Sequence, residues 1–381
     1  MEHAPRVVAG IVAALVGFTS SFAVVLAGLR AVGATPAEAA SGLLALSLTQ
    51  AVGIGWLTRR HRTPLVLAWS TPGAAMLAAT GAVAGGWPAA VGAFGVVGVL
   101  ILVTGLWPPL GRLVAAIPTP LAQSMLAGVV LSLCLAPVHG LAAEPWLVAP
   151  ILIGWLLATR FLPRWAVPIA FAITLVVIGI EARGDLSTAL VPPSLVWTTP
   201  TLTWPAVLGL ALPLYLVTMA GQNVPGAAVI SSYGYEVPWR ESMTVTGLGT
   251  IVGAGFGGHA INLAAITASL TANPDVHPDP GRRWVAAHAA GWTYLVLGVL
   301  SAPLTAYVSL APPDVIGTVA GLALLGTLAA ALRSALASPA GREAATITFV
   351  VAASGTVIGG IGAAFWALLA GLLVRAVLTR S

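Results

Sequence analysis

The sequence predicts an all-α polytopic membrane protein of about fourteen transmembrane segments, built as a 7+7 inverted repeat. Three observations carry this. Of the 381 residues, 58% are hydrophobic and 7% charged, where a soluble domain carries roughly a quarter charged residues. The arginines fall almost entirely on one side of the predicted spans. The two halves of the chain carry matching motifs in the same order.

The spans follow from apolar runs and the turn residues between them. They fall at roughly 7–30, 36–57, 64–80, 85–107, 113–136, 146–160, 165–182, 204–221, 239–254, 257–273, 284–310, 313–332, 344–360 and 361–377. Thr63 to Gly111 and Leu186 to Tyr235 contain no Asp, Glu, Lys, Arg or His. Each run accommodates two spans at ~20 residues per span. The first apolar segment, Val7 to Leu29, is longer than a signal-peptide core and lacks a small-residue cleavage site before a polar chain. It reads as a retained span.

All 16 basic residues are arginine. Counting span ends alternately from an inside N-terminus puts Arg6, Arg59, Arg60, Arg62, Arg112, Arg160, Arg164, Arg240, Arg282, Arg283, Arg333, Arg342, Arg375 and Arg380 on one side. Only Arg30 and Arg183 fall on the other. Positive charge marks the cytoplasmic side. A multi-pass protein of the cell (cytoplasmic) membrane is expected, with both termini cytoplasmic. Most tryptophans lie near predicted span ends, as in an interfacial belt.

The repeat is read from two pairs of segments. "GIVAALVGFT" (10–19) and "GLALPLYLVT" (209–218) share Gly and Thr at one spacing; "PLAQSMLAG" (120–128) and "PDVIGTVAG" (313–321) share Pro, Ala and Gly. Span 1 therefore matches span 8, and span 5 matches span 12. Seven is odd, so the second half (201–381) inserts upside down relative to the first (1–200), as in many secondary transporters.

Span 3 and its partner, span 10, are each expected to be half extended strand and half helix. In "LVLAWSTPGAAMLAATG" (65–81), a strand-like run meets Ser70-Thr71-Pro72, a cap followed by the proline that favours the first helical turn. In "GAGFGGHAINLAAITASL" (253–270), Gly253, Gly255, Gly257 and Gly258 disfavour a helix, and Asn262 offers a cap for one running from Leu263 to Leu270. Two helix starts would then meet near the midplane. Irregular backbone is tolerated there where it lines a cavity, and helix N-termini favour an anion or acceptor group.

"STPGAA" (70–75), "QNVPGAAVI" (222–230) and "GFGGHAINLAAITA" (255–268) resemble the benzoate membrane transporter family (BenE), and the likeness extends over nearly the whole chain. The resemblance implies a proton-coupled carrier of aromatic carboxylates, related in fold to nucleobase and sulfate carriers. It implies a core of spans 1–4 and 8–11 and a gate of spans 5–7 and 12–14. Two departures stand out. Pro225 interrupts what would be the nucleobase carriers' Gln/Glu-Asn-x-Gly signature, and no Asp or Glu lies inside spans 1, 3, 8 or 10. The second argues against a nucleobase as substrate.

The candidate substrate-binding residues are polar or aromatic side chains near these breaks. Ser70, Thr71 and Gly73 open the span 3 helix, where the hydroxyls serve as caps, as carboxylate contacts, or both. His259 is the lone titratable residue between Ser242 and Pro274. Intramembrane ionisable groups are costly and usually functional, and imidazole titrates near neutral pH, so His259 is the candidate for proton coupling. Asn262 caps span 10 or touches substrate. Gln222 and Asn223 are read at the end of span 8, with Pro225-Gly226 as a terminating turn. Thr218 and Tyr215 lie one and two turns earlier. Ser20 and Ser21 interrupt span 1 at the matching depth, and Phe22 is placed for stacking or apolar packing.

The expected function is import of benzoate or a similar aromatic carboxylate with protons, by alternating access, with the carboxylate at the starts of the span 3 and span 10 helices. The alternatives are a nucleobase or inorganic anion on the same fold, or an anion channel. The lipid bilayer is a partner; homodimer formation is left open. The arginines gather on no polar domain, which argues against nucleic acid. Cys134 is the single cysteine, and Asp275, His277 and Asp279 lack metal-ligand spacing. No phosphate loop or nucleophile–base pair is evident. No cofactor, metal or enzymatic activity is expected.

Overall fold

The computed structural model describes residues 4–181, 191–339 and 341–378. Arg183 and Arg380, used above for sidedness, lie outside them. Among the described residues, seven helices are long and apolar enough to cross a membrane, or eight if one bent pair counts as a span.

The N-terminal half begins with α1 (Ala4–Ala31) and α2 (Pro36–His61). The start of α2 is fixed by a capping box: the Thr35 hydroxyl accepts the Glu38 N–H, the Glu38 carboxylate accepts the Thr35 N–H, and Pro36 fills the first turn. Strand β1 (Leu67–Trp69) leads into α3 (Thr71–Thr80). Then come α4 (Gly86–Leu106), a short α5 (Pro108–Ala115), α6 (Thr119–Ala143), α7 (Pro145–Phe161) and α8 (Ala166–Glu181).

The second half opens with α9, continuous from Trp204 to Ser232. This corrects the expectation that span 8 stops at Gln222–Asn223. Two π-helical stretches, Val207–Ala211 and Met219–Asn223, each end two residues before a proline, Pro213 and Pro225. Proline lacks an N–H, and its ring crowds the carbonyl four residues back. Widening the helix just ahead of each proline relieves that conflict without breaking the helix. Pro225 therefore sits inside a span instead of ending one.

After α9 come α10 (Trp239–Ala254), β2 (Ile261–Leu263) and α11 (Ile266–Ala272). α12 (Trp284–Val299) and α13 (Ser301–Val308) form a pair bent by 51°. α14 (Pro313–Ala335), α15 (Arg342–Ala353) and α16 (Ala363–Leu378) complete the described chain. Close helix contact rests on small residues, as expected in a bilayer where apolar burial drives no association. On α10, a Cβ at Gly247 would fall 2.6 Å from the Leu102 backbone nitrogen, so only glycine lets α4 lie this near.

β1 and β2 pair antiparallel, with Leu67 opposite Leu263, Ala68 opposite Asn262 and Trp69 opposite Ile261. Two further backbone bonds extend the pair, Ser70 N–H to the Ala260 carbonyl and Ala264 N–H to the Val66 carbonyl, each 2.9 Å. Extended backbone buried among helices must find such partners, and each strand supplies the other's. Because the strands are antiparallel, the chain leaves the crossing in opposite directions to enter α3 and α11. The aromatic core lies beside this crossing: Phe18 packs on Phe22 at 5.5 Å and on Trp69 at 5.2 Å, and Phe22 packs on Phe171 at 5.6 Å.

Candidate functional site

A cavity of about 140 Å³ lies against the strand crossing. α1 contributes Val16, Gly17, Ser20 and Ser21; α2 contributes Gln50. β1 and the start of α3 contribute Ala68, Trp69, Thr71 and Pro72, and α9 contributes Gln222. The β2–α11 junction supplies Ala264 to Thr267, α12 supplies Tyr294, and α14 supplies Ala323 and Thr327. The wall combines the aromatic rings of Trp69 and Tyr294 and apolar side chains with hydroxyls and two amides. No Asp, Glu, Arg or His is on it.

Of the residues singled out from sequence, Ser20, Ser21, Thr71 and Gln222 reach the wall. The Ser21 hydroxyl accepts the Trp69 indole N–H at 2.7 Å and donates to the Gly17 carbonyl at 2.7 Å, which fixes the Trp69 ring.

The others form the frame around the crossing. Ser70 is fully buried and caps α3, accepting the Gly73 N–H at 3.2 Å. Thr218 donates to the Ser70 hydroxyl at 2.8 Å, joining α9 to α3. His259 is fully buried, donates from Nε2 to the Ser70 carbonyl at 3.1 Å, and meets Phe94 edge-on. Its Nδ1 has no hydrogen-bond partner in the protein.

Asn223 accepts the Leu263 N–H at 2.9 Å. Tyr215 points to α4, its hydroxyl bonding to Thr104 at 2.5 Å. Phe22 is fully buried in the aromatic stack. Asn262 does not cap a helix. It sits inside β2, its amide donates to the Leu263 carbonyl, and α11 begins only at Ile266 with no side-chain cap. The strand pairing extends past Leu263 to Ala264, so these two residues are not free to be helical.

Sequence reasoning missed Gln50, Thr267 and Tyr294. All three are buried on the cavity wall. Thr267 and Tyr294 crowd Gly17: a Cβ there would fall 2.7 Å from Thr267 Cγ2 and nearer still to the Tyr294 hydroxyl. Glycine thus keeps this corner open. Gln50 could have been found as the single amide in the interior of span 2. Among the described residues, no group of three potential metal ligands comes together.

The chain is similar to known transport proteins along its length. The family model described as "Benzoate membrane transport protein" matches residues 1–377. The inner membrane protein YdcO of Escherichia coli (strain K12) is 39% identical over 96% of this chain and 94% of its own. The benzoate membrane transport protein of Acinetobacter baylyi (strain ATCC 33305 / BD413 / ADP1) is 30% identical over 98% of this chain and 95% of its own. Among solved structures, SLC26A9 is matched with a TM-score of 0.63 at 12% identity, over 98% of this chain and 65% of that one. The transmembrane domain of the cyanobacterial bicarbonate transporter BicA gives a TM-score of 0.57 at 16% identity, over 99% and 97%. At these identities the two structures show a shared fold alone. The chain is a membrane transporter, not an enzyme, and it belongs to the BenE benzoate membrane transport family.

Proposed function

We propose that the protein is a secondary active transporter that imports benzoate, or an aromatic carboxylate close to it, together with protons. The observation that carries this reading is the composition of the cavity wall. Trp69 offers a ring for an aromatic substrate, and Ser20, Ser21, Gln50, Gln222 and Thr267 offer hydrogen bonds at close quarters. A small cavity with few convergent polar groups is the usual form of a small-molecule site.

The described elements support fourteen segments. Eight long helices, counting the bent pair as one, are joined by the shorter α7, α10, α15 and α16 and by the β1–α3 and β2–α11 units. In this reading α1 to α8 form the first repeat and α9 to α16 the second, inverted one. With spans 1–4 and 8–11 as core and 5–7 and 12–14 as gate, the cavity lies at their boundary. All its lining residues belong to the core except Ala323 and Thr327, which come from the gate helix α14. Sliding of core against gate would expose the same wall to either side in turn. One chain completes the wall, so a homodimer is not needed for binding.

The carboxyl group faces the starts of α3 and α11. Thr71 and Pro72 bring the first turn of α3 to the cavity; α11, with only seven residues, contributes through Thr267. Two groups can carry the coupled proton, the substrate's carboxyl and His259. The arginine asymmetry supports cytoplasmic termini in the cell membrane.

The test is competition. Purified protein in liposomes should take up radiolabelled benzoate at a saturable rate that unlabelled benzoate suppresses and that equal concentrations of uracil or sulfate leave unchanged. Suppression by uracil or sulfate but not by benzoate would assign another substrate class.

A further inference from the structure

Among the polar side chains of the cavity wall, Gln50 leaves two atoms unpaired and Thr267 one. Gln50 is fully buried on α2, it lines the wall, and neither its Oε1 nor its Nε2 has a hydrogen-bond partner in the protein. Most buried polar groups are satisfied, and leaving one unpaired costs its desolvation without compensation. An amide is a donor and an acceptor held in one plane. A planar donor–acceptor pair satisfies both atoms at once. A protonated carboxyl is such a pair: its O–H donates to Gln50 Oε1 and its carbonyl accepts from Gln50 Nε2. An ionised carboxylate has no proton to offer and leaves Oε1 unpaired.

The charge environment points the same way. No cationic side chain lines the cavity. Tyr294 on α12 is the one titratable group on the wall. The charged and imidazole groups of the lining helices lie toward their ends: Arg6 and Arg30 on α1, Glu38, Arg59, Arg60 and His61 on α2, His288 on α12, and Asp314 and Arg333 on α14. A bare carboxylate would therefore be desolvated with only the partial charge of the helix starts to offset it, which is costly. His259 does not help. It reaches the Ser70 carbonyl, not the cavity, and a proton on its Nδ1 would meet no acceptor in the protein.

We propose that Gln50 recognises the substrate as its neutral acid, pairing amide to carboxyl, so that the coupled proton travels on the substrate. This rests on the benzoate reading above. The proton joins the carboxylate before or during entry, crosses with it and leaves after release. Transport is then electroneutral, with one proton per carboxylate.

The experiment uses the full chain in liposomes and compares initial rates of radiolabelled benzoate uptake after subtraction of protein-free vesicles. Wild type, Gln50→Met and His259→Gln are compared across pH, with benzamide as competitor. Benzamide is uncharged at every pH used and offers the same planar donor–acceptor pair. Benzamide should inhibit the wild type with a pH-independent constant. Gln50→Met should lose at least about tenfold in rate, and His259→Gln should keep the wild-type pH slope. A clamped membrane potential should leave the wild-type rate unchanged.

The proposal is overturned if folded Gln50→Met transports within about twofold of wild type, or if benzamide fails to inhibit where benzoate saturates. A pH slope abolished in His259→Gln would also overturn it. If Gln50→Met does not fold, benzamide competition on the wild type decides alone. A wild type with no protein-dependent benzoate uptake removes the benzoate reading, and the proposal with it.

Discussion

The Thr218 hydroxyl donates to the Ser70 hydroxyl over 2.8 Å, and the same Ser70 oxygen accepts the Gly73 N–H at the start of α3. One side chain therefore caps a helix and ties it to α9, beside the strand crossing. Ser70→Ala removes the cap and leaves the buried Thr218 hydroxyl without that acceptor. A loss of about 1–2 kcal/mol is expected, read as a lowered Tm in detergent. Ser70→Thr, which keeps the oxygen, should retain most of it.

Asn223 and Gln222 are neighbours with different tasks. Asn223 holds the Leu263 N–H, whereas Gln222 faces the cavity. Asn223→Leu leaves a buried N–H unpaired and should cost about 1–3 kcal/mol of stability. Gln222→Leu should leave stability within about 0.5 kcal/mol while raising the KM for benzoate. Thermal unfolding and uptake kinetics on the two variants check this; equal loss of stability in both would contradict the assignment.

Gly17 keeps space for Tyr294 and Thr267. Gly17→Val places methyl groups where those side chains meet the cavity. Uptake should fall at least about tenfold with the protein still folded, measured as initial rate against a size-exclusion and melting control. Unchanged uptake would place the substrate elsewhere.

Trp69 combines a ring on the cavity wall with an indole N–H bonded to Ser21. Trp69→Phe keeps an aromatic face and loses the hydrogen bond. It should destabilise by about 1 kcal/mol and retain transport. A more severe loss of transport than of stability would show that the indole N–H itself handles the substrate.

The membrane class and much of the helix order were legible in the sequence, because hydropathy over ~20 residues is a strong local signal. The interruptions near Ser70 and His259 were legible too, because Ser-Thr-Pro and clustered glycines act on the backbone within a few residues. Other features depended on distant contacts. Pro225 reads locally as a helix stop, yet a π-helical stretch absorbs it. Asn262 reads as a cap, but it belongs to a strand whose partner lies almost two hundred residues earlier. His259 was marked as a site residue by its isolation, and the structure turns its ring to the Ser70 carbonyl. Gln50 was passed over because α2 is regular there; only the fold shows that its amide is buried, unpaired and at the cavity.

The most direct test of the account is the initial rate of radiolabelled benzoate entry into proteoliposomes with an acidic exterior, compared with vesicles at equal pH and with protein-free vesicles under the same gradient. A proton-coupled importer gives a saturable protein-dependent rate that the inward proton gradient increases. A saturable rate indifferent to the gradient, or one no greater than in protein-free vesicles, would contradict proton-coupled import.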